Sequence, residues 1–279
     1  MCVGRLACSF LGPGTRQHWW RTALSLLPSG ATRKTDSLLE QKGAPPPAEP
    51  EEEATEKFGE WLGKDGLPES APRDKDSQLP NGEGIAVYPN GDRYTGRIEN
   101  SERVGKGKYV WKAAEEGKHG GEYDGEYKSN KKEGRGKMVY PDTGTYDGQW
   151  KEGLREGQGT FKYPNGDWYK GMWLKGKKSA RGTYFSYSGA CWYMGLWTDG
   201  NFVEGDWKFK DGSCYKGNFA AGMPAPGEGS FVFPNGNTVK GTWVAKALEG
   251  EALAAAQEGG KPTSTVSWVG GEVSYSDGA

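Results

Sequence analysis

The sequence predicts a mainly β fold: an elongated single-layer antiparallel meander of about seven β-hairpins, with a disordered N-terminal region and a short C-terminal helix. Three observations predict it. Tyrosine followed two residues later by glycine recurs at Tyr94, Tyr123, Tyr146, Tyr169, Tyr193 and Tyr215, with Val239 in seventh place, at intervals of 29, 23, 23, 24, 22 and 24 residues. Aromatic and β-branched residues alternate on both sides of turns such as Pro164-Asn165-Gly166-Asp167. Glycine supplies 46 of 279 residues, hydrophobic residues only 34%, and the mean hydropathy is −0.83, which suits stacked thin units rather than one thick core.

Each element follows from its local composition. Residues 1–34 hold no acidic residue but carry Arg5, Arg16, Arg21 and Arg33 with an apolar ALSLL run. That composition suits either an organelle transit peptide or an unstructured extension. Residues 35–80 contain GAPPPAEPEEE and read as a flexible acidic linker. Within them Phe58, Trp61 and Leu62 have the i, i+3, i+4 spacing of a helical stripe and suggest a cap. Residues 81–243 form the array, and residues 244–279 a cap helix, centred on AKALEGEALAAAQE, and a tail. Caps are needed because a lone hairpin is marginal in water and each unit must lean on its neighbours.

Inside the array the glycines follow the rings. Two residues beyond each motif glycine stand Ile98, Tyr127, Trp150, Trp173, Trp197, Phe219 and Trp243. An odd turn loop of three or five residues puts all large rings on one face, because a slip of one residue moves every side chain across the sheet. In the register read this way Tyr163 faces Tyr169, Phe161 faces Gly171 and Gly159 faces Trp173. The small residue opposite the last ring is then Gly84, Gly107, Gly136, Gly159, Gly205 or Gly229, and the pattern fails once, at Thr183, where a β-bulge is expected.

The unit Tyr146 to Gly166, YDGQWKEGLREGQGTFKYPNG, resembles the MORN repeat almost throughout. Among such proteins the arrangement is similar to the radial spoke head proteins of motile cilia and flagella. Two stretches carry that likeness: Tyr215 to Trp243, with a proline-containing insert, and the weakened repeat YMGLWTDGNFVEG, which lacks the usual basic run. The resemblance implies a cilium or flagellum axoneme, or the cytoplasm, as the setting. It implies other spoke-head subunits or a second copy of the chain as partners. A cleaved N-terminus would place the chain in a mitochondrion or plastid instead.

The chemistry-bearing residues point away from catalysis. Only His18 and His119 exist, so no histidine triad or histidine metal cluster is expected, and no cofactor. Gly171 to Lys178, GMWLKGKK, has the glycine and lysine spacing of a phosphate loop but puts Lys178 where Ser or Thr would hold magnesium. Asp92, Asp142, Asp167 and Asp211 recur in turns that need no cation to explain them. Cys2, Cys8, Cys191 and Cys214 lack metal or redox spacing, and no apolar run approaches the length of a membrane-spanning helix.

The expected function is a non-enzymatic scaffold whose aromatic face meets protein partners, with Trp150, Tyr169, Trp173, Tyr193 and Trp197 as surface-facing contact rings. Residues 84–243 carry 24 Lys and Arg against 19 Asp and Glu, too mild an excess for a nucleic-acid partner. The alternative is an adaptor binding anionic phospholipid through Lys175, Lys177, Lys178 and Arg181.

Overall fold

The computed structural model describes residues 60–62, 82–113, 120–247, 249 and 264–275, all within one unit, Pro45–Ala279. They form a 16-stranded antiparallel sheet in which every strand pairs with its neighbours in sequence. The strands are β1 (Glu60–Leu62), β2 (Gly82–Val87), β3 (Arg93–Glu99), β4 (Glu102–Val110), β5 (Glu122–Lys128), β6 (Lys131–Tyr140), β7 (Gly144–Lys151) and β8 (Leu154–Lys162). The second half comprises β9 (Trp168–Leu174), β10 (Lys177–Ser186), β11 (Cys191–Thr198), β12 (Asn201–Phe209), β13 (Cys214–Ala220), β14 (Met223–Val232), β15 (Thr238–Ala247) and β16 (Ser264–Ser274). The single-layer meander of hairpins is as the sequence predicts.

Two kinds of turn alternate. Asn100-Ser101, Ser129-Asn130, Glu152-Gly153, Lys175-Gly176, Asp199-Gly200 and Ala221-Gly222 are two-residue loops with positive φ at both positions. That left-handed pair matches the twist of the flanking strands. The other kind, in most hairpins, is a three-residue loop; Tyr187–Ala190, between β10 and β11, is instead a four-residue loop, and a longer segment joins β4 to β5. The Tyr163 amide donates to Asp167 O (2.9 Å) and the Gly166 amide to Tyr163 O (3.1 Å), around Pro164, Asn165 and Gly166. The loop is odd, as expected, but centred on Asn165.

That centre corrects the predicted register by one pair. Phe161, not Tyr163, faces Tyr169; Gly159 faces Gly171; and Trp173 faces Gly157. Rings stay on one face because the shift is even. The Gly-x-Gly run offers two small residues at the same parity, so both registers satisfy the pattern. Nor is there one bulge at Thr183: a register shift recurs on each of the seven pairings that join β3 to β4, β5 to β6 and so on to β15 and β16.

Both predicted caps are corrected where they are visible. Trp61 and Leu62 lie on β1, paired with Ala86 and Ile85, not on a helix; Phe58 is outside the described residues. Ala245, Lys246 and Ala247 continue β15 as strand, and β16 pairs along them. Glu249 is in neither helix nor strand, and the remaining residues of the predicted C-terminal helix, the 1–34 extension and nearly all of the 35–80 linker lie outside the described residues.

The core is the inner face of this one sheet. Tyr94, Tyr123, Tyr146, Tyr169 and Tyr215 are fully buried, with Phe161 and Trp173 among them. Edge-to-face contacts run from repeat to repeat: Tyr123 on Trp150 at 5.3 Å, Tyr146 on Trp173 at 5.3 Å, Tyr169 on Trp197 at 5.1 Å. Each such pair contributes about 0.5–1.5 kcal/mol beyond its area.

Candidate functional site

The motif tyrosine explains its own glycine. Tyr146 lies over Gly148 on its own strand and over Gly159, the partner of Gly148 across the hairpin. Tyr94, Tyr123, Tyr169 and Tyr215 cover the pairs Gly96/Gly107, Gly125/Gly136, Gly171/Gly182 and Gly217/Gly229 in the same way. The hydroxyl then donates to the carbonyl three residues on: Tyr94 to Arg97 O (3.1 Å), Tyr123 to Glu126 O (3.1 Å), Tyr146 to Gln149 O and Tyr169 to Met172 O (both 3.0 Å). Trp150, Trp173 and Trp197 tie each repeat to the one before by donating Nε1–H to Gly136 O (3.0 Å), Gly159 O (3.2 Å) and Gly182 O (3.1 Å). Tyr94, Tyr123, Tyr146, Tyr169, Trp150, Trp173 and Trp197 are thus both packed and hydrogen-bonded, as buried polar tips generally are.

A column of cations is buried among these rings, and residue-by-residue reading missed it. Arg103, Lys132, Arg155 and Lys178 are 2–3% exposed. Arg155 sits 5.1 Å from the Trp173 ring and donates to Tyr140 Oη (3.2 Å) and Gly176 O (3.2 Å). Lys178 sits 4.8 Å from Tyr184 and 5.1 Å from Trp197, with Tyr163 and Tyr169 also within reach. The sequence signal is simple: each cation is the ninth residue after a motif tyrosine, where Phe202 and Pro224 stand in the next two repeats. Ring faces attract such cations once water is excluded.

Asp92 and Asp167 anchor the Asn-Gly-Asp turns. Asp167 accepts from Tyr184 Oη (2.5 Å), the Tyr187 amide (2.7 Å) and Asn165 Nδ2 (3.0 Å). Asp92 repeats the set with Tyr109 (2.8 Å), Lys112 (2.7 Å) and Asn90 (2.9 Å). Both carboxylates are consumed by the fold. Burial pushes the Tyr184 and Tyr109 hydroxyls well above their ordinary range, and the aspartate bonds add to it. Burial also lowers the Lys178 ammonium to about 7, against the pull of Asp167.

The expected contact residues therefore sit in the core. Trp150, Tyr169, Trp173, Tyr193 and Trp197 are all buried on the inner face, at 6% exposure or less. The expected lipid-contact residues are not brought together. Lys178 is buried, Lys177 pairs with Asp199 (3.3 Å), Lys175 lies in a turn, and Arg181 lies on the outer face opposite Leu196. Gly171 to Lys178 is a plain hairpin, β9-turn-β10, with no helix to receive a phosphate. Cys191 and Cys214 are buried free thiols on strands separated by β12.

The other face carries a half-buried aromatic row. Register places Lys162, Trp168, Phe185, Trp192 and Lys208 in one row across β8 to β12. Trp168 and Phe185 stack at 5.8 Å, and Phe185 and Trp192 meet at 5.1 Å. Beside them Met194, Leu196 and Leu174 are 43, 41 and 51% exposed. The residue before the motif tyrosine or valine is polar or small in the other repeats, namely Arg93, Glu122, Thr145, Cys214 and Thr238, and tryptophan only at Trp168 and Trp192. The outer face elsewhere carries charge, as in the Lys108–Glu122 ion pair (2.9 Å).

Comparison with known proteins agrees with this geometry. No curated protein matches the chain. The MORN repeat family model matches residues 79–93, 94–113, 123–145, 146–168, 169–191 and 215–238. The gap between the last two matches coincides with the one hairpin in which the motif tyrosine abandons its glycine: Tyr193 stacks instead on Trp207 at 5.6 Å, and Gly195 packs against the backbone of Glu204 and Gly205. Six stretches of the array thus match the MORN repeat, and the run is interrupted at the hairpin where Phe202 stands in place of the buried cation.

Proposed function

We propose that the chain is a non-enzymatic scaffold and that its protein partner docks on the outer-face row Trp168–Phe185–Trp192. One observation carries the reading: the rings that stabilise the array are buried on its inner face, whereas this half-buried aromatic row lies on the opposite face beside the exposed Leu174, Met194 and Leu196. Lysines close both ends of the row, which favours a partner with an apolar ridge flanked by carboxylates. The setting is the axonemal spoke head, on the strength of the Tyr193 interruption and the proline-containing stretch from Tyr215 to Trp243. The partners are then other spoke subunits.

A C-terminally tagged copy in ciliated cells tests this. Axonemal signal that is lost in a Trp168→Ala, Trp192→Ala double variant supports both surface and setting. Mitochondrial or plastid signal removes the spoke reading. The lysine-flanked row also suits an anionic membrane surface, so salt-sensitive co-sedimentation with phosphoinositide liposomes, abolished in the same variant, would favour lipid over protein.

A further inference from the structure

The two ends of the sheet differ. β1 offers three residues, whereas β16 offers eleven, and among the described residues no strand pairs with its outer edge. The sequence STVSWVGGEVS contains one charged residue, Glu272, with no lysine and no proline. Those are the devices that ordinarily stop an edge strand from recruiting another chain. Val269 and Val273 are 56 and 44% exposed on it.

The aromatic file also ends open here. Rings in the middle of the array are almost fully buried because each repeat is covered by the next. Trp243, Trp268 and Phe231 pack together, at 5.6 Å and 5.1 Å, but remain only partly buried. Between repeats a large residue faces a small one across the strands: Trp150 faces Gly134, Trp173 faces Gly157, Trp197 faces Ala180 and Trp243 faces Gly227. β16 holds both halves of that rule, Trp268 and Gly270.

We propose that β16 pairs antiparallel with β16 of a second copy about a two-fold axis at Val269, the midpoint of the strand. That register sets Trp268 opposite Gly270 of the second copy, and Gly270 opposite its Trp268. The ring-on-glycine rule of the array is then continued across the axis. A two-fold contact of this kind closes on itself, so it yields a dimer rather than a filament. The added strand supplies main-chain hydrogen bonds along a ready edge. A head-to-tail alternative would have to match eleven residues with the three of β1.

Sedimentation velocity on the full chain decides it. The wild type should run at twice the 30.4 kDa chain mass at micromolar concentration. At the axis residue 269 faces itself, so Val269→Asp and Val269→Lys each bring like charges together and should both be monomeric. An equimolar mixture of the two should recover a dimer through opposite charges. Val269 is exposed, so circular dichroism of both variants should match wild type. A wild type that stays monomeric, or single variants that stay dimeric, overturns the proposal. Loss of the dimer in the Trp168→Ala, Trp192→Ala variant overturns it too, since that would place the contact on the outer face.

Discussion

Tyr146 lies over Gly159, one strand over, so closely that a Cβ on Gly159 would stand under 3.0 Å from its hydroxyl oxygen and two ring carbons. The tyrosine cannot retreat, because its hydroxyl is held by Gln149 O. Gly159→Ala should therefore cost about 2–3 kcal/mol, at the upper end for overpacking. Tyr146→Phe, which loses only the hydrogen bond, should cost about 1 kcal/mol. Urea unfolding of the two variants checks the order, and equal costs would contradict the packing account.

Ala180 occupies the position that Gly157 and Gly134 fill in earlier repeats, with φ of 48° where they have 69° and 62°. An alanine in this left-handed region is strained by about 1–2 kcal/mol, offset in part by the flexibility glycine adds to the unfolded chain. Ala180→Gly should raise stability by about 0.5–1 kcal/mol. A melting midpoint that falls would show that the Ala180 methyl is needed against Trp197.

Lys178 gives the fold a pH dependence. Burial brings its folded value to about 7, whereas an unfolded lysine titrates at about 10.4. Between these values the unfolded chain holds a proton that the folded chain has released. Stability should then rise with pH from about 7 upward and be lowest below 7. Lys178→Met should raise the melting midpoint most at pH 6 and flatten the slope between pH 6 and 9. Above about pH 10 the buried tyrosines reverse the trend, because they resist the ionisation that unfolded tyrosines undergo.

The two faces should respond differently to the same change. Trp173→Ala opens a hole under Arg155 and Tyr146 and should cost about 3–5 kcal/mol. Trp192→Ala removes a half-buried ring from the outer row, should cost under about 1.5 kcal/mol, and should leave the circular dichroism unchanged. Comparable losses at both sites would mean the outer row is structural.

The last repeat lacks a tyrosine, and Trp268 supplies the ring instead: it, rather than Val239, lies over Gly241. Trp268→Ala should speed amide exchange across β15 without loosening β9. Adding Val239→Tyr should restore protection by returning the ring to its usual strand. No rescue would show that Trp268 acts through the strand pairing rather than through its ring.

The repeat period, the hairpins and the sharing of one face by the large rings are all legible in the sequence, because a tyrosine-x-glycine spacing fixes strand parity however the turn is centred. The register is not, since Gly-x-Gly offers two equivalent small residues and only the Tyr163–Asp167 turn bond selects between them. Nor is the solvent side. Trp173 and Trp168 are both tryptophans on one strand, and whether a ring is core or contact depends on what the next hairpin lays over it. Arg155 and Lys178 read as surface charge for the same reason: a side chain enters a core only when neighbouring strands close around it, and that closure is a property of the stacked array rather than of any segment within it.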